Sequence, residues 1–371
     1  MIVEAKVSGT ESTINKIGLL LSKADISMSK AEAIESCKIY FIIDSIKNID
    51  NLLILTLKSK HPQKKEKAKK TNEPEFLKNW LNRLALTKEA YPIIGKIPKK
   101  ETDSKISLSK DFSENPLLKE KINRNPTFKI SIRNTGISEG KEKEDILNIK
   151  SLAKKLGDFK FKKTDMHSPN VEFIILNSRQ KTIGVKLWEN KDEFEKRKAH
   201  LRPILHPTAI NPKLARAMIN IAGAEKEILD PFCGMGGILL EASLIGLNAK
   251  GTDISPEMII RAKINLQNEK SKDKITLYTM NGLNWKEHTE CIVTDLPYGK
   301  SSKISTPLSE LLDKTLKHYA PIAKKMALCF PQETKYTLPK ELRKIYDFNI
   351  YIHKSLTRKI VILETRQPRK K

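Results

Sequence analysis

The second half of the chain carries two loops whose residue types could bind a small ligand and act on it. The first is the run Asp230-Pro231-Phe232-Cys233-Gly234-Met235-Gly236-Gly237, which follows an apolar segment and precedes the apolar segment Ile238–Ile245. This pattern predicts a strand, a tight loop and a helix. The glycines allow positive φ angles and leave no Cβ to block a ligand, and the start of the helix offers unpaired N–H groups. We therefore expect this loop to hold a ligand through its backbone.

The spacing of these glycines argues against a phosphate-binding loop. Such loops have the spacing G-x-G-x-x-G or G-x-x-x-x-G-K-[ST], whereas this chain has G-x-G-G. Taken alone, the loop could also be an ordinary glycine-rich turn of an α/β protein. Asp253, however, ends a second predicted strand, Asn248–Ile254. A carboxylate at that position suits the two hydroxyls of a ribose.

The second loop, Asp295-Leu296-Pro297-Tyr298, follows the fourth strand of this half, predicted at Cys291–Asp295. An exocyclic amine of a base is a poor nucleophile, because its lone pair is delocalised into the ring. Asp295 and a backbone carbonyl of Leu296 or Pro297 could accept its N–H groups and hold it in line for attack. Tyr298 could stack on a base that has left its helix. The alternative reading is a strand followed by a proline turn.

The order of these two loops, with Gly251-Thr252-Asp253-Ile254 between them, resembles the S-adenosylmethionine-dependent amino-methyltransferases. Within them, the chain is similar to the archaeal tRNA guanine-10 N2-dimethyltransferases, a family that contains a THUMP domain. Segments before and after the loops also resemble that family: Arg202-Pro203, His206-Pro207, Ala215-Arg216-Ala217-Met218 and His353-Lys354-Ser355-Leu356-Thr357-Arg358. The resemblance is strong over residues 200–366 and only architectural before them.

The resemblance implies an activity and a role for each loop residue. S-adenosylmethionine would be the methyl donor, guanine 10 of a tRNA would receive one methyl group on N2 and then a second, and no metal would be required. The implied catalytic residues are Asp295, Leu296, Pro297 and Tyr298. The implied cofactor-binding residues are Asp230, Pro231, Gly234, Gly236, Asp253, Ile254, Asn281 and Gly282.

Three of these positions carry more specific expectations. Asp230 would bind the amino group of the methionine part, and Asp253 the ribose hydroxyls. Asn281 stands where the family usually has aspartate, but its amide oxygen can still accept from the adenine amine. Leu296 stands where the broader pattern often has a second proline, and it retains the backbone carbonyl.

Two other functions remain open from the sequence. The tetrapeptide at Asp295 specifies an amino nitrogen and not the base, so the target could be another guanine or an adenine in RNA or DNA. The chain could also be a nonenzymatic RNA-binding protein with a degenerate methyltransferase fold. The presence of all three aspartates, Asp230, Asp253 and Asp295, argues against the latter.

Charge and composition set the wider limits. The 371 residues include 69 Lys and Arg against 44 Asp and Glu, a formal net charge of +25, which indicates a polyanionic partner or a lysine-rich proteome. The four cysteines lack the spacing of a zinc site or a disulfide framework, so we expect reduced, mostly buried thiols. No signal peptide or membrane span is apparent, and we expect a cytoplasmic protein without a membrane partner, as a monomer.

The first half predicts an α+β region in two parts. Residues 1–100 are expected to form a ferredoxin-like domain, with a strand Ile2–Val7, a helix carrying Ile14 to Leu21, and a lysine-rich loop at 58–70. Pro92 and Pro98 are expected to mark a linker to the second part. Residues 103–188 are expected to form a THUMP-like RNA-binding domain, and 189–205 a further linker. The basic residues expected to contact RNA phosphates are Arg133, Lys154, Lys155, Lys160, Lys162 and Lys163.

The second half, residues 206–371, predicts an α/β fold of the Rossmann-like class I methyltransferase type. Five strands alternate with helices, and two final runs, Phe348–His353 and Lys359–Thr365, are expected to form an antiparallel hairpin at the edge of the doubly wound sheet. In such sheets, ligands bind beyond the carboxyl ends of the strands. Both loops described above fall at such ends.

Overall fold

The computed structural model describes residues 16–60, 73–98, 106–109, 126–135, 142–158, 161, 163–204, 209–298 and 306–366. Within these ranges the chain forms two compact units. Unit 1 contains the described residues up to 23, then 40–81 and 87–190; unit 2 contains 24–39, 82–86 and those from 191 onward. None of the helices in the described ranges combines the length and the apolar character that a membrane span requires.

Unit 1 is built on one ten-stranded sheet. Its strands in chain order are β1 Lys16–Leu21, β2 Phe41–Ile49, β3 Leu52–Ser59, β4 Thr87–Lys96, β5 Ser107–Leu108, β6 Thr127–Asn134, β7 Lys163–Thr164, β8 Val171–Asn177, β9 Thr182–Val185 and β10 Trp188–Glu189. The spatial order is β2-β3-β1-β4-β9-β8-β6-β7, and the short strands β5 and β10 also pair with β4. Helices α2, Glu73–Arg83, and α3, Glu142–Gly157, accompany these strands.

The prediction of a helix at Ile14 to Leu21 is wrong for the residues that the structure describes, because Lys16–Leu21 forms strand β1. This strand lies between β3 and β4, and all of its residues after Lys16 are buried, so it lacks the alternation that marks a strand in sequence. The residues of the strand expected at 2–7, like most of the lysine-rich loop, lie outside the described ranges.

Strand β4 was not expected, because Pro92 suggested a linker. In the structure, β4 pairs with β1 through Ile17 and Pro92, and with β9 through Ile93 and Gly184. One continuous sheet therefore joins the strands assigned to residues 1–100 with those assigned to residues 103–188. This differs from the expected separation near residue 100.

Unit 2 contains a seven-stranded sheet that confirms the expected doubly wound fold. Its strands are β11 Glu227–Asp230, β12 Asn248–Asp253, β13 Ile275–Thr279, β14 Thr289–Asp295, β15 Ala323–Pro331, β16 Leu342–His353 and β17 Leu356–Thr365. The spatial order is β13-β12-β11-β14-β15-β17-β16. The first five strands run parallel, and β17 and β16 add the predicted antiparallel hairpin.

Helices cover both faces of this sheet. They are α4 Pro212–Ala222, α5 Gly237–Leu244, α6 Pro256–Leu266 and α7 Leu308–Tyr319. The first three pack on one apolar cluster, and α7 packs on the other. Local signals explain the starts of two of them: Asn211 and Ser255 each accept a backbone N–H of the first turn, and a proline follows each.

Helix α1, Ile26–Tyr40, belongs for most of its length to unit 2, although its sequence lies among the strands of unit 1. Its Met28 and Ala31 join the core under α4. Glu32 is fully buried and accepts hydrogen bonds from the backbone N–H groups of Ala85 and Leu86 and from the amide of Asn220. These contacts compensate for burial of the carboxyl and so anchor α1.

Candidate active site

A cavity of about 570 Å³ opens at the carboxyl ends of β11, β12 and β14. The strand order reverses at β11, because the chain adds β12 and β13 on one side of it and then crosses back to add β14 and β15 on the other side. This is the position at which open α/β sheets bind ligands. Both loops identified from the sequence line this one cavity.

The loop after β11 has the backbone conformation that its glycines suggested. Gly234 and Gly236 have φ angles of 49° and 78°, which side-chain-bearing residues rarely adopt. A Cβ on Gly234 would meet no atom within 4 Å, whereas one on Gly236 would lie 2.9 Å from Cδ1 of Leu266. Gly234 therefore leaves room in the cavity, while Gly236 allows the loop to pack closely against Leu266. Two glycines of the loop line the cavity, Gly234 and Gly237; Gly236 does not.

Asp230 lies at the end of β11 and is only 2% exposed. Its Oδ1 accepts hydrogen bonds from Thr294 Oγ1 at 2.6 Å and from the backbone N–H of Phe232 at 3.2 Å. Burial nevertheless raises the pKa of this carboxyl to about 7, and the negative charges of Asp295 and Asp253 add to the effect. A cation bound in the cavity would favour the ionised form of Asp230.

Asp253 ends β12 and is held on both oxygens by the backbone. Oδ2 accepts from Gly234 N–H at 3.1 Å, and Oδ1 accepts from Ser255 N–H at 2.8 Å. Each oxygen retains a second lone pair, as the predicted contact with ribose hydroxyls requires. Burial raises the pKa of this carboxyl above its usual value. The next residue, Ile254, is 72% exposed and supplies an apolar wall of the cavity.

Asn281 and Gly282 follow β13 and also line the cavity. The Oδ1 atom of Asn281 already accepts the backbone N–H of Leu283 at 3.0 Å, so contact with an adenine amine would use its remaining lone pair. A Cβ on Gly282 would lie 2.4 Å from the carbonyl oxygen of Pro231. Gly282 is thus required for the close approach of the loops after β11 and β13.

Asp295, Leu296, Pro297 and Tyr298 all line the cavity. Oδ2 of Asp295 lies 3.2 Å from Nη2 of Arg358. Oδ1 is buried and has no hydrogen-bond partner among the described residues. Burial raises the pKa of Asp295 to about 6, although the Arg358 guanidinium and, more weakly, the thiol of Cys329 oppose the increase. A buried, unsatisfied acceptor in a cavity is costly unless a ligand donates to it.

Arg358, on β17, was not assigned a role from the sequence beyond its place in a family-like segment. It is 5% exposed. Its Nε donates to the hydroxyl oxygen of Tyr298 at 2.6 Å, and its guanidinium lies 5.7 Å from the centre of the Tyr298 ring. One arginine therefore positions both the carboxylate and the aromatic ring of the loop after β14.

The residues present fit S-adenosylmethionine. The sulfonium and ammonium groups carry positive charge, and four acidic residues line the cavity: Asp230, Asp253, Glu257 and Asp295. The ribose and adenine are matched by Asp253 and by the apolar side chain of Ile254, and open space at Gly234 admits the ligand beside the backbone. Among the described residues, no group of three side chains is arranged to hold a metal ion. All four cysteines are buried free thiols.

Some of the residues predicted to contact RNA form ion pairs within the protein, and others are exposed to solvent. Arg133 is engaged with Glu89 at 3.1 Å and, more distantly, with Glu172. Lys155 pairs with Asp158 at the surface, while Lys154 and Lys163 are exposed. Lys160 and Lys162 lie outside the described residues. Contact of any of them with RNA stays a prediction.

Two family models match the chain. One, described as RMKL-like methyltransferase domain, covers residues 199–354, which include both loops. The other, described as DNA methylase, covers residues 38–263. The second match ends before the loop at Asp295.

Curated relatives match about half of the chain. The chain is 35% identical to the tRNA (guanine(10)-N2)-dimethyltransferase of Pyrococcus abyssi over 55% of this chain and 65% of the relative. The enzyme of that name from Methanocaldococcus jannaschii is 36% identical over 51% of this chain and 56% of the relative. A probable tRNA (guanine(10)-N2)-dimethyltransferase of Methanothermococcus thermolithotrophicus is 34% identical over 40% of this chain and 95% of the relative. The aligned part thus spans less than two thirds of the first two relatives.

Proposed function

We propose that this chain, which belongs to the family of the tRNA (guanine(10)-N2)-dimethyltransferases, transfers methyl groups from S-adenosylmethionine to the exocyclic N2 amine of a guanine in tRNA. The guanine is that at position 10, and it receives one methyl group and then a second. The names of the relatives supply the position and the second methyl group. The cavity supplies the chemical argument for an amine.

The observation that carries this proposal is the state of Asp295. Its Oδ2 is paired with Arg358, and its Oδ1 is a buried acceptor without a donor among the described residues. An N–H of a flipped base would satisfy that acceptor. With a pKa of about 6, the carboxyl is largely ionised at neutral pH, and it is more basic than an ordinary aspartate.

S-adenosylmethionine, when bound, supplies an electrophilic methyl group attached to a positively charged sulfur. Asp295 accepts one N–H of the guanine amine, which holds the nitrogen lone pair toward the cofactor side of the cavity. The backbone carbonyl of Leu296 or Pro297 is available for the other N–H. As the new N–C bond forms, the bond between that carbon and sulfur would break, with its electron pair left on sulfur as S-adenosylhomocysteine. The nitrogen becomes positively charged, and Asp295 is placed to take the proton that it loses.

Tyr298 and Arg358 hold the base in this mechanism. The ring of Tyr298 gives an aromatic face on which a base can stack, and Arg358 fixes that face through the Tyr298 hydroxyl. Because the same guanidinium holds Asp295, the stacking face and the acceptor keep a fixed separation. Their fixed geometry would supply much of the rate by orientation.

We assign tRNA binding to the basic first half, with the THUMP-like region at 103–188 as the RNA-binding module. The support is the net charge of +25 and the family membership. Exposed Lys154 and Lys163 are the better candidates for phosphate contacts, because Arg133 is occupied by Glu89. We further propose that the protein acts as a monomer in the cytoplasm, in keeping with its free thiols.

The direct test is to incubate the protein with unmodified total tRNA and methyl-labelled S-adenosylmethionine, digest the RNA to nucleosides, and identify the labelled product. We expect dimethylguanosine, with monomethylguanosine at early times. Asp295→Asn, which keeps the shape but not the charge, should lose most turnover while retaining cofactor binding. Full turnover of this variant would refute the mechanism.

Other products would identify other functions. Labelled methyladenosine would retain the fold and the amine chemistry but refute the guanine assignment. Label in DNA and not in tRNA would favour the activity named in the DNA methylase description, whose match stops at residue 263. Binding of S-adenosylmethionine without transfer to any nucleic acid would favour a nonenzymatic RNA-binding protein.

A further inference from the structure

The hairpin of β16 and β17 ends in an exposed tip, residues 351–356, at the carboxyl edge of the second sheet. Every residue from Tyr351 to Ser355 is exposed, so the tip projects beyond the part of the sheet that helices cover. Two of these side chains are large and apolar: Tyr351 is 71% exposed and Ile352 is 41% exposed. The tip has no role in the mechanism above.

The tip lies next to the part of the cavity that receives the target base. Arg358 of β17 donates to the hydroxyl of Tyr298 at 2.6 Å and lies 3.2 Å from Asp295. Leu356, the last residue of the tip, precedes Arg358 by two positions on the same strand. At 3.3 Å for each strand residue, the tip begins about 7 Å beyond Arg358. A nucleic-acid strand whose base stacks on Tyr298 therefore passes within reach of the tip.

The charge of the hairpin favours a polyanion. Between Asp347 and Glu364 the sequence has no acidic residue but has four basic ones, His353, Lys354, Arg358 and Lys359. The two flanking carboxylates are already paired, Asp347 with Lys344 and Lys359, and Glu364 with Arg343. Lys354 is exposed, and within the described ranges no carboxylate forms an ion pair with it. Its ammonium group is available to a phosphate.

Tyr351 adds a stacking surface to this charge. A target base must leave its helix to enter the cavity, and its departure removes a stacking partner from the bases beside it. Exposed aromatic rings bind such bases with little regard to their identity, and basic side chains next to the rings follow the backbone. The tip combines both features, an aromatic ring and a lysine, within a few residues.

We propose that the hairpin tip binds the RNA strand beside the target nucleotide, with Tyr351 stacking on a neighbouring base and Lys354 contacting a phosphate. This inference rests on the proposed function. It adds a substrate contact on the unit that carries the cavity to those assigned to the basic first half. A phosphate contact fixes the position of the strand without reading its sequence. The tip thus holds the flanking nucleotides while the target base is in the cavity.

The test measures the affinity of the full chain for unmodified tRNA by fluorescence anisotropy, with S-adenosylhomocysteine present and at several salt concentrations. Lys354→Met should weaken binding and reduce the slope of log K against log salt by about 0.7 to 0.9, the contribution of one phosphate contact. Tyr351→Ala should weaken binding by about 5- to 150-fold, the value of one stacked base, and keep the salt slope. Tyr351→Phe, which keeps the ring, should bind like the wild type.

Lys340→Met is the matched control, because Lys340 is exposed and precedes β16 at the end of that strand opposite to the tip. It removes the same charge as Lys354→Met and should keep the wild-type salt slope. All four variants should keep the wild-type Tm and the affinity for S-adenosylhomocysteine, because each substituted side chain is exposed and Arg358 is unchanged. If Tyr351→Ala failed to fold, the salt slope of Lys354→Met would still decide the proposal.

Three results would overturn the proposal. The first is wild-type affinity for tRNA in Tyr351→Ala, or the full salt slope in Lys354→Met. The second is a wild-type oligomer, measured by analytical ultracentrifugation, that Tyr351→Ala dissociates without a change in tRNA affinity; the edge strand β16 would then pair with another protein chain. The third is a wild type that does not bind tRNA, which would refute the proposed function as well. The first two results would leave the proposed function intact.

Discussion

Replacing Arg358 by methionine should change the pH dependence of catalysis in a defined direction. Arg358 is the cation that lies 3.2 Å from Asp295 Oδ2, and it also donates to the Tyr298 hydroxyl. Methionine keeps much of the apolar length of the side chain in a position that is 5% exposed. The variant therefore removes the charge and the hydrogen bonds with limited loss of packing.

The expected fall in the rate of methyl transfer at pH 7 follows from the pKa of Asp295. This pKa is about 6 with Arg358 present, so at pH 7 roughly nine tenths of the carboxyl is ionised. A neighbouring opposite charge lowers a carboxyl pKa by about 1 to 3 pH units, and we take about 1 to 2 because Asp295 retains some exposure. Without Arg358 the ionised fraction at pH 7 falls to between roughly one half and one tenth, and the rate should fall by about two- to tenfold.

The assay is the initial rate of methyl transfer to unmodified tRNA between pH 5 and 9, with subsaturating tRNA. The acid limb of kcat/KM should move to higher pH by about 1 to 2 pH units, and the variant should approach the wild type at high pH. Arg343→Met is the control, because Arg343 is an exposed arginine of the same hairpin that pairs with Glu364. It should keep the wild-type profile.

Two outcomes would refute this reasoning. An unchanged acid limb would mean that Asp295 ionisation does not govern the rate. A loss of the same size at every pH would mean that Arg358 acts only by positioning Tyr298. Binding of S-adenosylhomocysteine should be retained by Arg358→Met, and its loss would show instead that the cavity had collapsed.

Three further changes test the site and its support. Asp230→Asn removes a buried carboxyl with a pKa of about 7, whose ionisation destabilises the wild type as pH rises from about 4 to about 7; calorimetry should show a higher Tm than wild type at pH 8 and an equal one near pH 4, and equal values at both would contradict this. Glu32→Ala leaves two backbone N–H groups and the amide of Asn220 buried without their acceptor, so urea unfolding should show a loss of about 2 to 5 kcal/mol, and a loss below about 1 kcal/mol would mean that α1 is not anchored by Glu32. Gly282→Ala places a Cβ 2.4 Å from the carbonyl oxygen of Pro231, and should cost about 1 to 3 kcal/mol of stability and weaken S-adenosylhomocysteine binding; wild-type values for both would show that the loop yields without cost.

The elements of unit 2 were predictable because their signals are local. Helix α4 begins at Asn211 and Pro212, and α6 at Ser255 and Pro256, where a capping residue precedes a proline. In unit 1, β1 was mistaken for a helix, because a strand buried on both faces has no period-two pattern. Strand β4 was missed because Pro92 lies within it, where it pairs with Ile17.

The sequence by itself determined the two loops that form the cavity. Glycines at positive φ and a carboxylate at a strand end are read from a few neighbouring residues, and parallel strands bring their carboxyl ends to the same edge of the sheet. Asp230, Asp253 and Asp295 could for that reason be assigned to one site from the amino-acid sequence. Their pKa values depend on burial and on mutual distance, which the sequence does not contain.

Only the tertiary structure decided which distant residues complete the site. In the sheet, Asp295 of β14 lies opposite Cys329 of β15, and Cys329 lies opposite Ile360 of the antiparallel strand β17. This strand register brings Arg358 to the carboxyl edge of the sheet, beside Asp295. A shift by one residue would turn Arg358 to the other face of the sheet. Strand register is set by packing across the whole sheet and not by local pattern, so the arginine that holds the catalytic loop became visible only in the fold.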